Sequence, residues 1–256
     1  EVEEARRETD IVLINVGSIE EHGLHLPLGT DSFQGTEVLK ITARLLAEEG
    51  IRVVVGPTIP FGLNPGAMSY PGSITVAPET LKALLKDVCR SLHRHGFRQV
   101  VLFLGHDENY GTMMVAAQEL TWELGMNVLC TNPMPALKAA EKKELALKAP
   151  DGHAGAGETS RALALHPGLV KLDRARVWEG DLTPAPAGQP LAGGDPPLLG
   201  GGVYRPMREL TMYSRDAGHP GQTGDPRLAQ AEAGVKAYLA MARWVADVVK
   251  RDCCRR

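Results

Sequence analysis

Apolar runs alternate with amphipathic segments along the chain. Four short, mostly apolar runs rich in β-branched residues lie at residues 11–17, 51–56, 99–105 and 127–131. Runs of this length and composition are typical of strands that are buried on both faces of a sheet. The pattern therefore predicts four strands, and the absence of polar alternation within them favours a mainly parallel sheet.

The segments that follow these strands carry apolar residues at helical spacing. This periodicity predicts helices at residues 31–49, 78–96, 109–124, 136–148, 158–165 and 226–249. Alternating strands and helices are typical of a sheet covered by helices on both faces. We therefore expect one three-layer α/β/α domain over residues 1–256. Residues 180–202 are rich in Gly, Pro and Ala, and they predict a long loop or flap within that domain.

Composition narrows the class of protein. Of the 256 residues, 43% are hydrophobic and 23% are charged, with a net charge of −3. This balance is typical of a soluble globular protein and does not favour a nucleic acid or a membrane surface as partner. The four cysteines form no CxxC pair, and no signal peptide is evident, so we expect a reducing, cytoplasmic setting. No phosphate-binding loop, dinucleotide fingerprint or GxSxG elbow is present.

Two polar clusters follow predicted strands directly. The stretch GSIEEHGLHLPLGTD occupies residues 17–31, and GHDEN occupies residues 105–109. In parallel sheets, ligands bind outside the carboxyl ends of the strands, so both clusters are expected at the same edge. The structure should therefore bring their side chains together.

These clusters contain metal-ligating residue types at regular spacing. Glu20 and His22 are two residues apart, as are His106 and Glu108, and in extended backbone such pairs point to one side. Asp31 starts the next helix and could bridge. Carboxylate and imidazole ligands without sulfur suit Zn, Mn or another divalent ion. Five ligands with a bridging Asp31 suit two ions about 3.5–4 Å apart.

A third polar cluster, HAGAGETS, occupies residues 153–160. Glu158 falls in the first turn of a predicted helix, where a carboxylate is stabilised electrostatically without any catalytic role. Alternatively, Glu158 acts as a general base or acid beside the metals, with His153 as its proton partner. The spacing alone leaves both interpretations open.

Taken in order, GSIEEHGLHLPLGTD, GHDEN and HAGAGETS resemble the three signatures of the creatininase family, and PGSI (71–74) and GDP (224–226) match two minor landmarks. The resemblance covers about residues 11 to 235. It implies an α/β/α fold, a homo-hexamer, and hydrolysis of a non-peptide C–N bond in a small molecule.

The resemblance also implies roles for individual residues. Glu20, Asp31 and His106 would hold one divalent ion, Zn or Mn. His22, Asp31 and Glu108 would hold a second ion. His153 and Glu158 would line the substrate pocket and assist proton transfer.

Several positions depart from the pattern of creatininase itself. Asp107 stands where creatininase has an aromatic residue, and residues 132–152 contain no Trp, Tyr or Phe. Gly66 and Ala67 replace a Glu-His pair found in many members. A flat heterocycle would lack stacking partners, so we expect a substrate other than creatinine. Asp107 would contact this substrate and suits a polyol or a cation.

Three hypotheses follow. The leading one is a two-metal hydrolase that attacks a cyclic amide, amidine or formamide. The second is cleavage of a carbon–carbon bond in an oxidised cyclic polyol, as in a 3-dehydro-scyllo-inosose hydrolase, and Asp107 motivates it. The third is a non-catalytic metal-binding protein, which would close its metal site with protein ligands and leave no open water position.

Overall fold

A four-stranded parallel sheet forms the centre of the chain in a computed structural model that describes residues 1–147, 151–177, 218 and 220–254. The strands are β1 (Ile11–Val16), β2 (Val54–Val55), β3 (Gln99–Leu104) and β4 (Asn127–Thr131). Their order is β2-β1-β3-β4, and every pairing is parallel. Because β1 and β3 are adjacent and central, the segments that leave their carboxyl ends start side by side.

Seven α-helices surround this sheet in the described part of the chain. They are α1 (Val2–Glu8), α2 (Thr30–Glu48), α3 (Pro78–Arg94), α4 (Tyr110–Leu124), α5 (Met134–Leu145), α6 (Ala156–Leu165) and α7 (Ala231–Asp252). The helix α2 ends before Gly50, which has a positive φ of 76° that glycine adopts without strain. Apart from α1, each of these helices was predicted from the periodicity of the sequence.

Alternate side chains of the central strands enter two separate cores. Val12, Ile14 and Leu102 pack with α3 and α4 on one face. Leu13 and Phe103 pack with α2, α5 and α7 on the other face. The period-two alternation of a strand produces this division. The expected α/β class with helices on both faces is therefore confirmed, while the single-domain assignment stays a prediction.

The boundaries of several elements differ from expectation, and three of these differences affect the interpretation. The predicted strand at 51–56 contributes only Val54–Val55 to the ladder, because the Ile51 amide donates to Leu46 O and closes the end of α2. The helix α6 starts at Ala156, so Glu158 lies inside its first turn. The last helix starts at Ala231, after a 3₁₀ turn at Pro226–Leu228. The predicted flap at 180–202 lies outside the described residues.

No helix in the described ranges combines the length and apolarity that a membrane span requires.

Candidate metal centre and active site

The carboxyl ends of β1 and β3 bring the first two polar clusters together. The strands stay in register to Val16 and Leu104, and the Gly105 amide then donates to Val16 O at 3.0 Å. The buried Asn109 side chain joins the two loops, because its Nδ2 donates to Gly17 O at 3.0 Å. The expectation that both clusters lie at one edge of the sheet therefore agrees with their positions.

Glu20, Asp31 and His106 form a first group of possible metal ligands. His106 Nδ1 lies 3.0 Å from Glu20 Oε2 and 3.0 Å from Asp31 Oδ2. One donor atom from each of the three side chains lies within 4.8 Å of the others. This is the set expected for the first ion.

A backbone carbonyl fixes the orientation of the His106 ring. Its Nε2 lies 2.7 Å from Leu63 O, and because a carbonyl only accepts, Nε2 carries the hydrogen. In the neutral ring, Nδ1 therefore presents a lone pair to the two carboxylates. Burial alone would lower the pKa of His106, but Glu20 and Asp31 outweigh it and raise that pKa well above its usual value. The environment thus favours a cation at Nδ1, whether a proton or a metal.

His22, Asp31 and Glu158 form a second group, whose donor atoms also lie within 4.8 Å of one another. His22 Nε2 lies 3.3 Å from Asp31 Oδ1 and 3.6 Å from Glu158 Oε2. His22 Nδ1 donates to Glu20 O at 3.0 Å, which leaves Nε2 to face the carboxylates. Burial opposes protonation of His22, but Glu158 and Asp31 outweigh burial and raise its pKa to about 9.

The two groups share Asp31, and each of its carboxylate oxygens faces a different histidine. Asp31 is 7% exposed and His22 is 1% exposed. Within the described residues, Asp31 Oδ2 and His22 Nε2 are buried without a hydrogen bond of adequate geometry. Buried polar atoms rarely lack partners, and binding of an ion is a standard explanation where they do. The oxygen and nitrogen donors converging here therefore fit a divalent cation.

His153 lies beside both groups. Its Nε2 donates to Glu21 O at 2.7 Å, and its Nδ1 is 3.9 Å from Glu20 Oε1. The rings of His22 and His153 are 4.4 Å apart between centroids. Glu20, His22 and His153 also form a third group of donor atoms within 4.8 Å. His153 is thus placed where it can contact either an ion or a bound substrate.

Glu108 occupies a different position from the one expected. It belongs to none of the three donor groups found among the described residues, and Glu158 stands in its place beside His22 and Asp31. Its Oε2 lies 3.9 Å from His106 Nε2, which is the nitrogen that faces away from Glu20. The physical reason is local, because residues Asp107–Asn109 form a 3₁₀ turn and not the extended backbone that the i, i+2 argument assumed.

Asp107 is exposed and close to the site. Desolvation by the surrounding protein raises the pKa of its carboxyl, and Asp31 and Glu158 are near enough to raise it further. His106 and Lys138 oppose this effect. Its position is compatible with substrate contact, and that role stays a prediction.

Neighbouring segments hold the first loop in place. Ser73 Oγ accepts from the Glu21 amide at 3.0 Å, and Asn64 Nδ2 donates to Ile19 O at 3.2 Å. His25, in the same loop, has Nε2 2.9 Å from Thr159 Oγ1. Burial and then the charge of His22 lower the pKa of His25 to about 4, so the ring is neutral at physiological pH.

The segment before α7 packs against the site, which the sequence alone did not indicate. The Thr223 amide donates to His153 O at 2.7 Å. A Cβ at Gly221, where φ is 76°, would overlap with the Glu21 carboxylate. The GDP landmark thus marks a segment that supports Glu21 and His153. His219, in the same segment, lies outside the described residues.

Known proteins resemble this chain along most of its length. The sequence profile of the creatininase family (creatinine amidohydrolase) matches residues 1–249. A mycofactocin precursor peptide peptidase from Mycobacterium tuberculosis is 31% identical over 250 residues, covering 96% of this chain and 83% of that protein. A creatinine amidohydrolase from Pseudomonas putida is 30% identical over 182 residues, covering 64% of this chain and 67% of that protein. A 3-dehydro-scyllo-inosose hydrolase from Thermotoga maritima is 26% identical over 269 residues, covering 98% of this chain and 81% of that protein.

Solved structures agree with these relatives. A crystal structure of creatinine amidohydrolase has a TM-score of 0.73 at 25% identity, covering 98% of this chain and 93% of that one. Creatininase structures of an Mn form and of a Zn–Zn mutant form both have TM-scores of 0.71. These relatives are hydrolases, and the match to the family profile spans nearly the whole chain. The chain therefore belongs to the creatininase family of metal-dependent hydrolases.

Proposed function

We propose that this chain is a two-metal hydrolase that cleaves an amide-type C–N bond in a small, non-peptide molecule other than creatinine. The observation that carries the proposal is the pair of donor groups that share Asp31 at the carboxyl ends of β1 and β3. The Mn and Zn forms of creatininase support one of these metals as the cofactor. When bound, such ions lower the pKa of a coordinated water to near 7 and polarise a carbonyl oxygen.

The side chains of this chain would divide the remaining work. Glu20, Asp31 and His106 hold one ion, and His22, Asp31 and Glu158 hold the other. Assigning Glu158 to the second ion departs from the sequence-based assignment of Glu108, and the positions of the two carboxylates motivate that change.

His153 is assigned to proton transfer. Its Nε2 donates to Glu21 O, so Nδ1 is the atom that can accept a proton from water and then pass it to the leaving nitrogen. Asp107 is assigned to substrate binding because it is exposed and within electrostatic reach of Asp31 and Glu158.

Two alternative activities have specific support. Hydrolysis of a peptide bond is favoured by the mycofactocin precursor peptide peptidase, which aligns with 96% of this chain. Cleavage of a carbon–carbon bond in a keto-inositol is favoured by the inosose hydrolase, which aligns with 98% of the chain. The third hypothesis, a non-catalytic metal-binding protein, has no such relative among those described above.

A metal count combined with a substrate screen tests these activities. The purified protein would be stripped of metal, reloaded with Mn or Zn, and assayed against cyclic amides, formamides, short peptides and keto-inositols. We expect two ions per chain and metal-dependent turnover of a small amide. Turnover of peptides alone, or of keto-inositols alone, would replace the leading activity, and tight metal binding without any turnover would favour the non-catalytic hypothesis.

We also propose a homo-hexamer, on the family resemblance alone. Light scattering after size-exclusion chromatography should then give six times the 27.5 kDa of one chain. A monomer at micromolar concentration would contradict this assembly.

A further inference from the structure

A buried arginine lies directly behind the second donor group. Arg161 is 8% exposed and belongs to α6, one turn after Glu158. Its guanidinium donates in three directions: Nε to Gln34 Oε1 at 2.7 Å, Nη2 to Glu158 Oε1 at 3.2 Å, and Nη1 to Glu141 Oε1. A guanidinium presents its donors in a rigid planar fork, so these contacts define one orientation of all three partners.

The two oxygens of Glu158 consequently have different surroundings. Oε1 accepts from Arg161, while Oε2 accepts from the Ala154 amide at 2.8 Å and lies 3.6 Å from His22 Nε2. The contact of Oε1 with Arg161 therefore leaves Oε2 as the oxygen that faces His22 and the donor group. Without Arg161, the carboxylate could rotate and would lose that selection.

Three helices meet at this arginine. Gln34 lies on α2, three residues after Asp31, and its Nε2 also donates to Glu158 O at 3.0 Å. Glu141 reaches in from α5, and a Cβ at Gly157 would overlap with its carboxylate. The chain thus has a glycine where α5 and α6 approach most closely. This arrangement ties the helix that carries Asp31 to the helix that carries Glu158.

We propose that Arg161 is a positioning residue that orients Glu158 toward the second metal ion, with Gln34 fixing the guanidinium in turn. This inference rests on the proposed two-metal function and specifies how one of its ligands is held. Outer partners of metal ligands typically contribute about 10–100-fold to metal affinity. Arg161 touches Glu158 but neither Glu20 nor His106 in any described contact, so the effect is confined to one ion.

Calorimetric titration of the metal-free protein with Mn tests this assignment. Arg161→Met alone would leave Glu141 buried without its partner, so the double variant R161M/E141Q is the main test. We expect one of the two binding steps to lose about 10–100-fold in affinity while the other step is unchanged. Arg161→Lys keeps the charge but not the fork, and it should restore part of that loss.

Tyr238→Phe is the matched control. Tyr238 is buried, lies within electrostatic reach of Arg161, and has no hydrogen-bond partner for its hydroxyl within the described residues. Removing this hydroxyl should leave both binding steps and the Tm of the metal-free protein unchanged. A general structural role for Arg161 would instead weaken both steps of R161M/E141Q together, and that result would overturn the proposal.

Two further outcomes separate this inference from the proposed function. If the wild type and R161M/E141Q bind two ions with equal affinities, the role of Arg161 is wrong and the two-metal function survives. If the wild type binds only one ion, both are wrong.

Discussion

Two clusters of charged side chains in this protein are similar in size and opposite in character. The first is the α3–α4 network, which joins the two helices and consists of Lys82, Lys86, Arg90, Glu119 and Glu123. Its charges alternate in sign, and its contacts include a 2.6 Å pair between Lys86 and Glu123 and a 2.8 Å pair between Arg90 and Glu123. Much of the network is solvent-accessible. Such networks are screened by water and salt and contribute little to stability.

The second cluster is the metal centre, which consists of Glu20, His22, Asp31, His106 and Glu158. No lysine or arginine side chain is among these five, and three carboxylates face two imidazoles. Burial and neighbouring charges shift the pKa values of these side chains in opposite directions. Burial would raise the pKa of Asp31, but His22 and His106 hold that pKa well below its usual range.

The comparison shows what distinguishes a functional site from a solvated surface. Each cluster contains five titratable side chains. The metal centre differs because its donor atoms are buried, converge on common points, and include atoms without adequate hydrogen bonds within the described residues. In the α3–α4 network, each charge already has an opposite charge beside it.

The largest effect should come from Asp31→Asn. Asp31 belongs to both donor groups, and an amide removes the negative charge from each. Activity should fall by more than the roughly 100-fold upper range for losing an outer partner of a metal ligand. Steady-state kinetics with a substrate from the screen, together with metal counting, would measure this. Glu119→Gln is the matched control in the α3–α4 network, and equal activities of the two variants would remove the distinction between the clusters.

Metal loading should stabilise the fold substantially. An ion that binds only the native state stabilises it by about 2.7 kcal/mol at 100 times Kd. For a chain of this size, that corresponds to a rise in Tm of about 5–10 °C. Thermal unfolding with and without Mn would show this rise in the wild type and in Glu119→Gln. The rise should disappear in Asp31→Asn, and a wild-type Tm insensitive to divalent ions would contradict the metal centre.

Glu119→Gln itself should change the stability only slightly. Its partly exposed carboxylate contacts Lys82 and the buried Lys86, and Glu123 still pairs with Lys86 when Glu119 is replaced. We expect the Tm to fall by at most about 2 °C, and by less in 1 M salt. A large, salt-insensitive loss would mean that the α3–α4 network behaves as a buried cluster.

The smallest effect should be a dependence of the unfolding free energy on pH that arises from Glu119 and is confined to acidic pH. Hydrogen bonds from Lys86 and then Lys82 lower the pKa of Glu119 to about 2, from a reference value of 4.5. The stabilisation is therefore fully present above pH 4.5 and is lost as the pH falls toward 2. Denaturant unfolding of the wild type and of Glu119→Gln across this range should converge at the acid end. A difference that persists well below pH 2 would have another cause.

Continuous apolar runs and helical periodicity were sufficient to predict the layered fold. The strands β1, β3 and β4 were predictable because burial on both faces leaves an uninterrupted apolar signal. The length of β2 was overestimated. The apolar run at 51–56 begins at the end of α2, where the Ile51 amide donates to Leu46 O, and only Val54–Val55 join the sheet. The helix α1 was missed because none of its residues is buried, so it carries no apolar stripe.

The site was predictable only where the backbone is extended or where a motif is contiguous. Glu20 and His22 are brought together by local geometry that the sequence shows. The assignment of Glu108 assumed an extended segment, whereas residues Asp107–Asn109 form a 3₁₀ turn, and its role as a metal ligand stays a prediction. Arg161 was missed because its partners Gln34 and Glu141 come from other helices, although its spacing of three residues from Glu158 was a signal that the sequence did contain.

Anomalous diffraction from crystals of the Mn-loaded protein would locate the ions and identify their ligands. We expect two Mn peaks per chain that share Asp31, one beside Glu20 and His106 and the other beside His22 and Glu158. A single peak, or a second peak coordinated by Glu108 with Glu158 turned away, would contradict this expectation.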